Sequence, residues 1–154
     1  MIDPAFGNWL AGFTDGEGYF TINRHIHGHY RCSFGIKLRG DDRPILEEIQ
    51  IQTGLGTIYD RPKNGKTNPQ SEFLVQSIKG CLALREIFRV HPLRAKKAED
   101  FKIWSEAMDF WTTHKYRDPW DNMADAKKRL EEVRKFRERS QGDAIVARIR
   151  QLSN

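Results

Sequence analysis

Apolar residues first recur with helical spacing between Pro4 and Thr14, where Asp3 stands at the capping position and Pro4 at the first helical position. The segment ends on Asp15-Gly16-Glu17-Gly18, a pair of carboxylates set among glycines, and Gly16 and Gly18 permit a sharp turn from helix into strand. From Tyr19 to Arg24 the pattern changes to alternation, with Phe20 and Ile22 on one side. After a turn near Gly28 the stretch from Tyr30 to Leu38 alternates again, with Cys32, Phe34, Ile36 and Leu38 inward. The pair predicts a β-hairpin with one face packed and one wet.

A second helix is expected after Asp41 or Asp42, with Pro44 in its first turn, an apolar stripe of Ile45, Leu46 and Ile49, and Gly54 as its stop. Leu55 to Arg61 and Ser71 to Ser77 predict a second hairpin across a polar loop rich in glycine and proline. Lys79 to Val90 predicts a third helix carrying Leu82, Leu84 and Ile87; His91-Pro92 breaks it, and a fourth covers Lys96 to Phe110. The order α-β-β-α-β-β-α-α is an α+β layer, with helices on one face of an antiparallel sheet. The pattern is interrupted near Arg117, so residues 1–116 read as the core and 117–154 as a C-terminal helical extension of the same domain. In that extension Met123, Leu130, Val133 and Phe136 form a narrow stripe on a strongly charged helix, and a short helix from Ala144 to Leu152 ends the chain. The charge favours a peripheral, solvated helix.

Composition adds modest constraints. The 154 residues suffice for one domain with a real core, and the net charge of +5 suits an anionic partner without requiring one. Cys32 and Cys81 have neither metal-ligand nor disulfide-framework spacing and are expected to be core thiols in a reducing compartment. Neither a signal peptide nor a membrane-length apolar run is evident, so the expectation is an intracellular protein (cytoplasm, nucleoid or organelle matrix), neither secreted nor membrane-bound.

Charge changes the picture more by its distribution. Between Tyr19 and Arg39 stand Arg24, Arg31, Lys37 and Arg39, with three histidines and no acid. Asn23, Arg31, Ser33 and Lys37 share the outward face of the first hairpin; Thr57, Tyr59, Arg61 and Gln76 do so on the second, with Lys63 and Lys66 in its loop. Glu72 is an acidic exception, while Asp41, Asp42, Glu47 and Glu48 fall on the covering helix. Lys and Arg neutralise phosphates, and Arg, Asn and Gln match base edges in the major groove, which admits a two-stranded ribbon. An ordinary solvated sheet face accounts for the charge equally well. His25, His27 and His29 alternate as metal ligands can, but they fall at a hairpin tip, which favours an exposed loop.

Leu10-Ala11-Gly12-Phe13-Thr14-Asp15-Gly16-Glu17-Gly18 resembles the LAGLIDADG signature of homing endonucleases and related maturases, and the resemblance extends over roughly residues 7–111. It implies that family's fold: an α-β-β-α-β-β-α core, a saddle-shaped antiparallel sheet, and C-terminal helices besides. One motif per chain implies a homodimer, packed through Leu10, Ala11, Gly12 and Phe13 of the first helix. It also implies that Glu17 and the Gly16 carbonyl bind a divalent metal, Mg²⁺, with Ca²⁺ or Mn²⁺ able to substitute. Asp15 is expected to be structural. A basic residue ahead of the last core helix supports the site; Lys96 is the preferred match, with Arg94 and Lys97 as alternatives. The polar residue that some members place at the end of the second strand has Leu38 or Arg39 in its position here.

The activity implied is site-specific cleavage of double-stranded DNA at a long, roughly palindromic target, as in mobile introns. The alternative is a cleavage-deficient protein on the same scaffold, either a maturase holding an intron RNA or a DNA-binding regulator. A basic interaction domain with a chance motif is the third reading.

Overall fold

The computed structural model describes residues 2–25, 28–114 and 120–152, with the backbone alone at 114, 120–121, 138–150 and 152. His27 and the interruption at 115–119 therefore lie outside the described residues. Helix α1 (Pro4–Glu17) leads directly into β1 (Gly18–Arg24), followed by β2 (Tyr30–Arg39), a 3-10 turn over Gly40–Asp42 and α2 (Arg43–Thr53). Strands β3 (Thr57–Arg61) and β4 (Gln70–Val75) precede α3 (Ile78–Val90), α4 (Lys97–His114) and α5 (Trp120–Leu152).

The four strands form one antiparallel sheet in the order β1-β2-β4-β3, so β1 and β3 are its edges. Alternation sorts the side chains as the pattern predicts. Phe20, Ile22, Cys32, Phe34, Ile36, Phe73 and Val75 are buried on the helix side. There Phe20 meets Phe34 at 5.2 Å and Trp104 at 5.3 Å between ring centroids, and Phe34 meets Phe88 at 5.7 Å. Both cysteines are buried free thiols, and burial pushes each well above the ordinary thiol range.

Two expectations need correction. The first helix continues to Glu17, so Asp15 and Gly16 are helical and no turn separates helix from strand. Gly18 supplies the compactness, because a Cβ there would stand 2.6 Å from Thr14 Cγ2. In the tail, α5 is one continuous helix rather than two pieces. It is not peripheral either: Met123, Ala126 and Leu130 are at most 2% exposed in the common core, while Phe136 is 72% exposed and leaves the predicted stripe. The spacing 123-126-130 gives helical contact with α4, which charged neighbours on every other face disguise in the sequence. No helix among the described residues is long and apolar enough to cross a membrane.

Candidate active site and nucleic-acid face

Asp3 caps α1 by accepting the Phe6 N–H at 3.1 Å, and Pro4 follows at the first helical position. Near the start of the helix, buried His91 seats against it, its Nδ1 3.0 Å from Asn8 Oδ1. A Cβ on Gly7 would overlap the His91 ring. At the far end, Asp15 Oδ2 accepts the backbone N–H of Arg94 at 2.8 Å and of Ala95 at 3.1 Å. The loop between α3 and α4 is thereby pinned to the end of the motif helix, which gives Asp15 a structural task.

That pinning decides which cation reaches the helix–strand junction. Lys97 Nζ donates to the Gly18 carbonyl, one residue beyond Glu17. Lys96, the preferred match from sequence, is exposed and makes no described contact, whereas Lys97, one of the two alternatives, reaches the junction. A loop broken by His91-Pro92 hides this register from sequence reasoning. Burial lowers the Lys97 pKa from its ordinary value; Asp100 opposes that shift, while Arg134, Lys96 and Arg137 add to it.

Glu17 is exposed and has no hydrogen-bond or ion-pair partner among the described residues, and Gly16 beside it is also exposed. No cluster of three or more His, Cys, Asp or Glu side chains suited to a metal occurs among the described residues. At the helix–strand junction, the described residues present the Glu17 carboxylate beside backbone carbonyls. Such hard oxygen donors fit an ion that keeps most of its water, as Mg²⁺ does.

Among the described residues, nothing covers the outward side of α1. Asn8, Trp9, Gly12 and Gly16 are exposed, and nothing lies within 4 Å of a Cβ built at Gly12 or Gly16. Phe6, Trp9 and Phe13 form a ladder along it, at 5.3 Å for the first pair and 5.0 Å, stacked, for the second. Leu10 and Ala11 correct the expected contact set. At 0% and 4% exposure they point into the chain's own core, where they can meet no second copy. Gly12 and half-buried Phe13 keep their place on the open side.

Strand pairing collects the expected nucleic-acid residues on the helix-free face. Asn23 lies across from Arg31, Lys37 from Glu72, Glu72 from Tyr59, and Arg61 from Gln70. Thr57 belongs to the same face, and Gln76 joins it through its Oε1, 3.4 Å from Arg31 Nη1. Lys63 and Lys66 are exposed at the β3–β4 tip. Ser33 is a correction: it is 8% exposed and its Oγ lies 2.5 Å from Thr21 Oγ1, so it floors the face instead of reaching outward. Tyr19, Thr21, Arg39 and Gln70 share the face but were missed from sequence. Alternation points to the first three; Gln70 was lost with the misplaced start of β4.

Glu72 is the acid among these strand residues, and its neighbours neutralise it. Tyr19 Oη donates at 2.6 Å and Arg61 Nη2 at 2.8 Å. Burial pushes the Glu72 carboxyl up, but those two bonds and the charges of Arg61 and Lys37 outweigh it and leave the pKa below the ordinary value. Burial and Glu72 together raise the Tyr19 phenol far above its usual range. The face thus offers cations and amides around a carboxylate already engaged.

Residues 10–108 match the family model described as LAGLIDADG endonuclease. A probable intron-encoded endonuclease of Schizosaccharomyces pombe, Cox1-I1b, is 30% identical over 107 residues, covering 67% of this chain and 27% of that one. The uncharacterized mitochondrial protein RF1 of Saccharomyces cerevisiae is 30% identical over 105 residues, covering 67% and 21%. The chain thus spans about a quarter of the length of these curated relatives. Among solved structures, the LAGLIDADG meganuclease I-AabMI bound to uncleaved DNA is similar, at 28% identity and a TM-score of 0.63 over 71% of this chain and 38% of that one. The homing endonuclease I-TnaI shares the fold at 20% identity and a TM-score of 0.67, over 84% of this chain and 95% of its own. With its motif helix, its one-faced sheet and a matched segment of 99 residues, the chain belongs to the LAGLIDADG endonuclease family.

Proposed function

We propose that two copies of this chain form a metal-dependent endonuclease that cuts both strands of a long, roughly palindromic DNA site. The observation that carries this reading is Glu17, a carboxylate without a partner among the described residues, at the tip of a helix whose outer side none of those residues covers. Packing of two α1 helices through Trp9, Gly12, Phe13 and Gly16 brings two such tips together on one axis. The open sheet face then extends away from the axis in each copy, and a related meganuclease whose structure is described as bound to uncleaved DNA supports duplex DNA as the occupant. An organelle matrix is the proposed setting, since one relative is named a mitochondrial protein.

In this reading Arg31, Lys37, Arg39, Arg61, Lys63 and Lys66 neutralise phosphates. Asn23, Thr57, Tyr59 and Gln76 face base edges. Glu17 and the Gly16 carbonyl hold a divalent ion, Mg²⁺ in the working enzyme. When bound, such an ion activates water and stabilises a leaving oxygen. Lys97 holds a positive charge beside the junction, where negative charge builds on the phosphate, and its bond to the Gly18 carbonyl keeps it in place.

A randomised duplex library, bound in Ca²⁺ and then supplied with Mg²⁺, tests the proposal. Wild type is expected to cut a twofold-symmetric site centrally. Glu17→Gln should still bind that site while cutting slows by at least about a hundredfold. Enrichment without cutting by wild type would move the function to a regulator or to a maturase for intron RNA.

A further inference from the structure

We propose that the C-terminal helix carries a positioning residue for the metal-bearing junction: Arg134, anchored on Asp100, clamps β1 just after Glu17 and fixes where that carboxylate stands. The kinetic consequence rests on the endonuclease reading; the clamp itself does not.

Strand β1 is a sheet edge, so its alternate carbonyls have no ladder partner. Two of them are taken by cations from the helical layer. Lys97 Nζ reaches the Gly18 carbonyl, and Arg134 Nη2 reaches the Phe20 carbonyl at 2.5 Å. Helices α4 and α5 run antiparallel, since Arg129 pairs with Glu106 at 2.7 Å while Arg134, further along α5, pairs with Asp100, earlier on α4. That direction delivers Arg134 to the end of α4 where Lys97 and the junction lie.

Asp100 is 1% exposed, and a carboxylate so buried requires cationic company. Arg134 Nε stands 3.5 Å from its Oδ2 and Arg137 Nη2 stands 2.6 Å from its Oδ1. A guanidinium suits the first position because its planar fork can meet a carboxylate and a carbonyl at once, whereas an ammonium reaches one or the other. No linker separates Glu17 from β1, so fixing the Phe20 carbonyl fixes the tip of α1 as well. Arg134 lies outside residues 10–108, which places this contribution beyond the segment matched by the family model.

Arg134→Ala leaves Asp100 within ion-pair distance of Arg137, at 2.6 Å, and Arg134→Lys, which keeps a cation beside the buried carboxylate, separates loss of the clamp from loss of the fold. Arg129→Ala is the control, because it removes an α4–α5 ion pair that touches no strand. For the dimer on its cognate duplex in Mg²⁺, Arg134→Ala is expected to cut about tenfold more slowly in single turnovers, with DNA affinity within about twofold of wild type. Arg134→Lys should recover part of that rate, and amide exchange across Tyr19–Ile22 should quicken in Arg134→Ala alone. Equal exchange and cutting in Arg134→Ala and wild type overturns the proposal; so does an equal effect of Arg129→Ala, which would mark mere helix docking. If wild type cuts no duplex, the endonuclease reading fails, and strand exchange alone decides the clamp.

Discussion

Among single residues, Glu72 shows how an acid is accommodated on a sheet face rich in cations and amides. Tyr19 and Arg61 occupy its two oxygens, and its folded-state pKa lies below the unfolded value. The stabilisation from that shift is complete above the unfolded value of about 4.3 and is lost as pH falls through the folded one. Glu72→Gln should therefore be less stable than wild type by about 1–3 kcal/mol at neutral pH. The gap should close below the ordinary carboxylate range, and urea unfolding of both proteins at a series of pH values measures it. A gap that widens on acidification would mean that Glu72 is strained rather than held. The sequence exposes Glu72 as an exception to the face, but not the two partners that resolve it, because Tyr19 is 53 positions away.

Whole elements differ in how much of them the sequence reveals. Both hairpins could be read because a period of two over a one-sided sheet leaves each side chain one allowed direction. The face each side chain takes was therefore legible even where strand ends and cross-strand register were not. The end of α1 was not legible, since paired glycines suggest a turn while packing against Thr14 carries the helix on to Glu17. Helix α5 was the larger misreading, because its charge outweighs three buried positions in any local window. Those positions predict opposite results for two similar substitutions. Leu130→Ala, at 2% exposure, should lower stability by about 2–5 kcal/mol. Phe136→Ala, at 72% exposure, should stay within about 0.5 kcal/mol of wild type. Denaturant midpoints at constant slope distinguish the two, and a large loss at Phe136 would contradict the docking described here.

At the scale of the molecule, the helices leave one side of the sheet and one side of α1 uncovered, and the proposed assembly uses both. Gly12 provides the sharper test of the second. Nothing in its own chain opposes a side chain there, and replacing glycine within a helix favours the helix by about 1 kcal/mol. Gly12→Leu should therefore leave the single chain at least as stable while sedimentation equilibrium finds the dimer lost. A dimer that survives the substitution would place the partner on another surface. The direct passage from α1 into β1 has a further consequence, for how a protein of this build is retargeted to new sequences. With no spacer at Gly18, one residue inserted or deleted there rotates the motif helix against the sheet and inverts the strand's faces. Changes of chain length are confined to the connections from β1 to β2 and from β3 to β4, while the strands between can change only by exchanging side chains in place. In the proposed endonuclease, new specificity is then acquired by substitution along β1 to β4 and by resizing those connections, with the cutting geometry inherited unchanged.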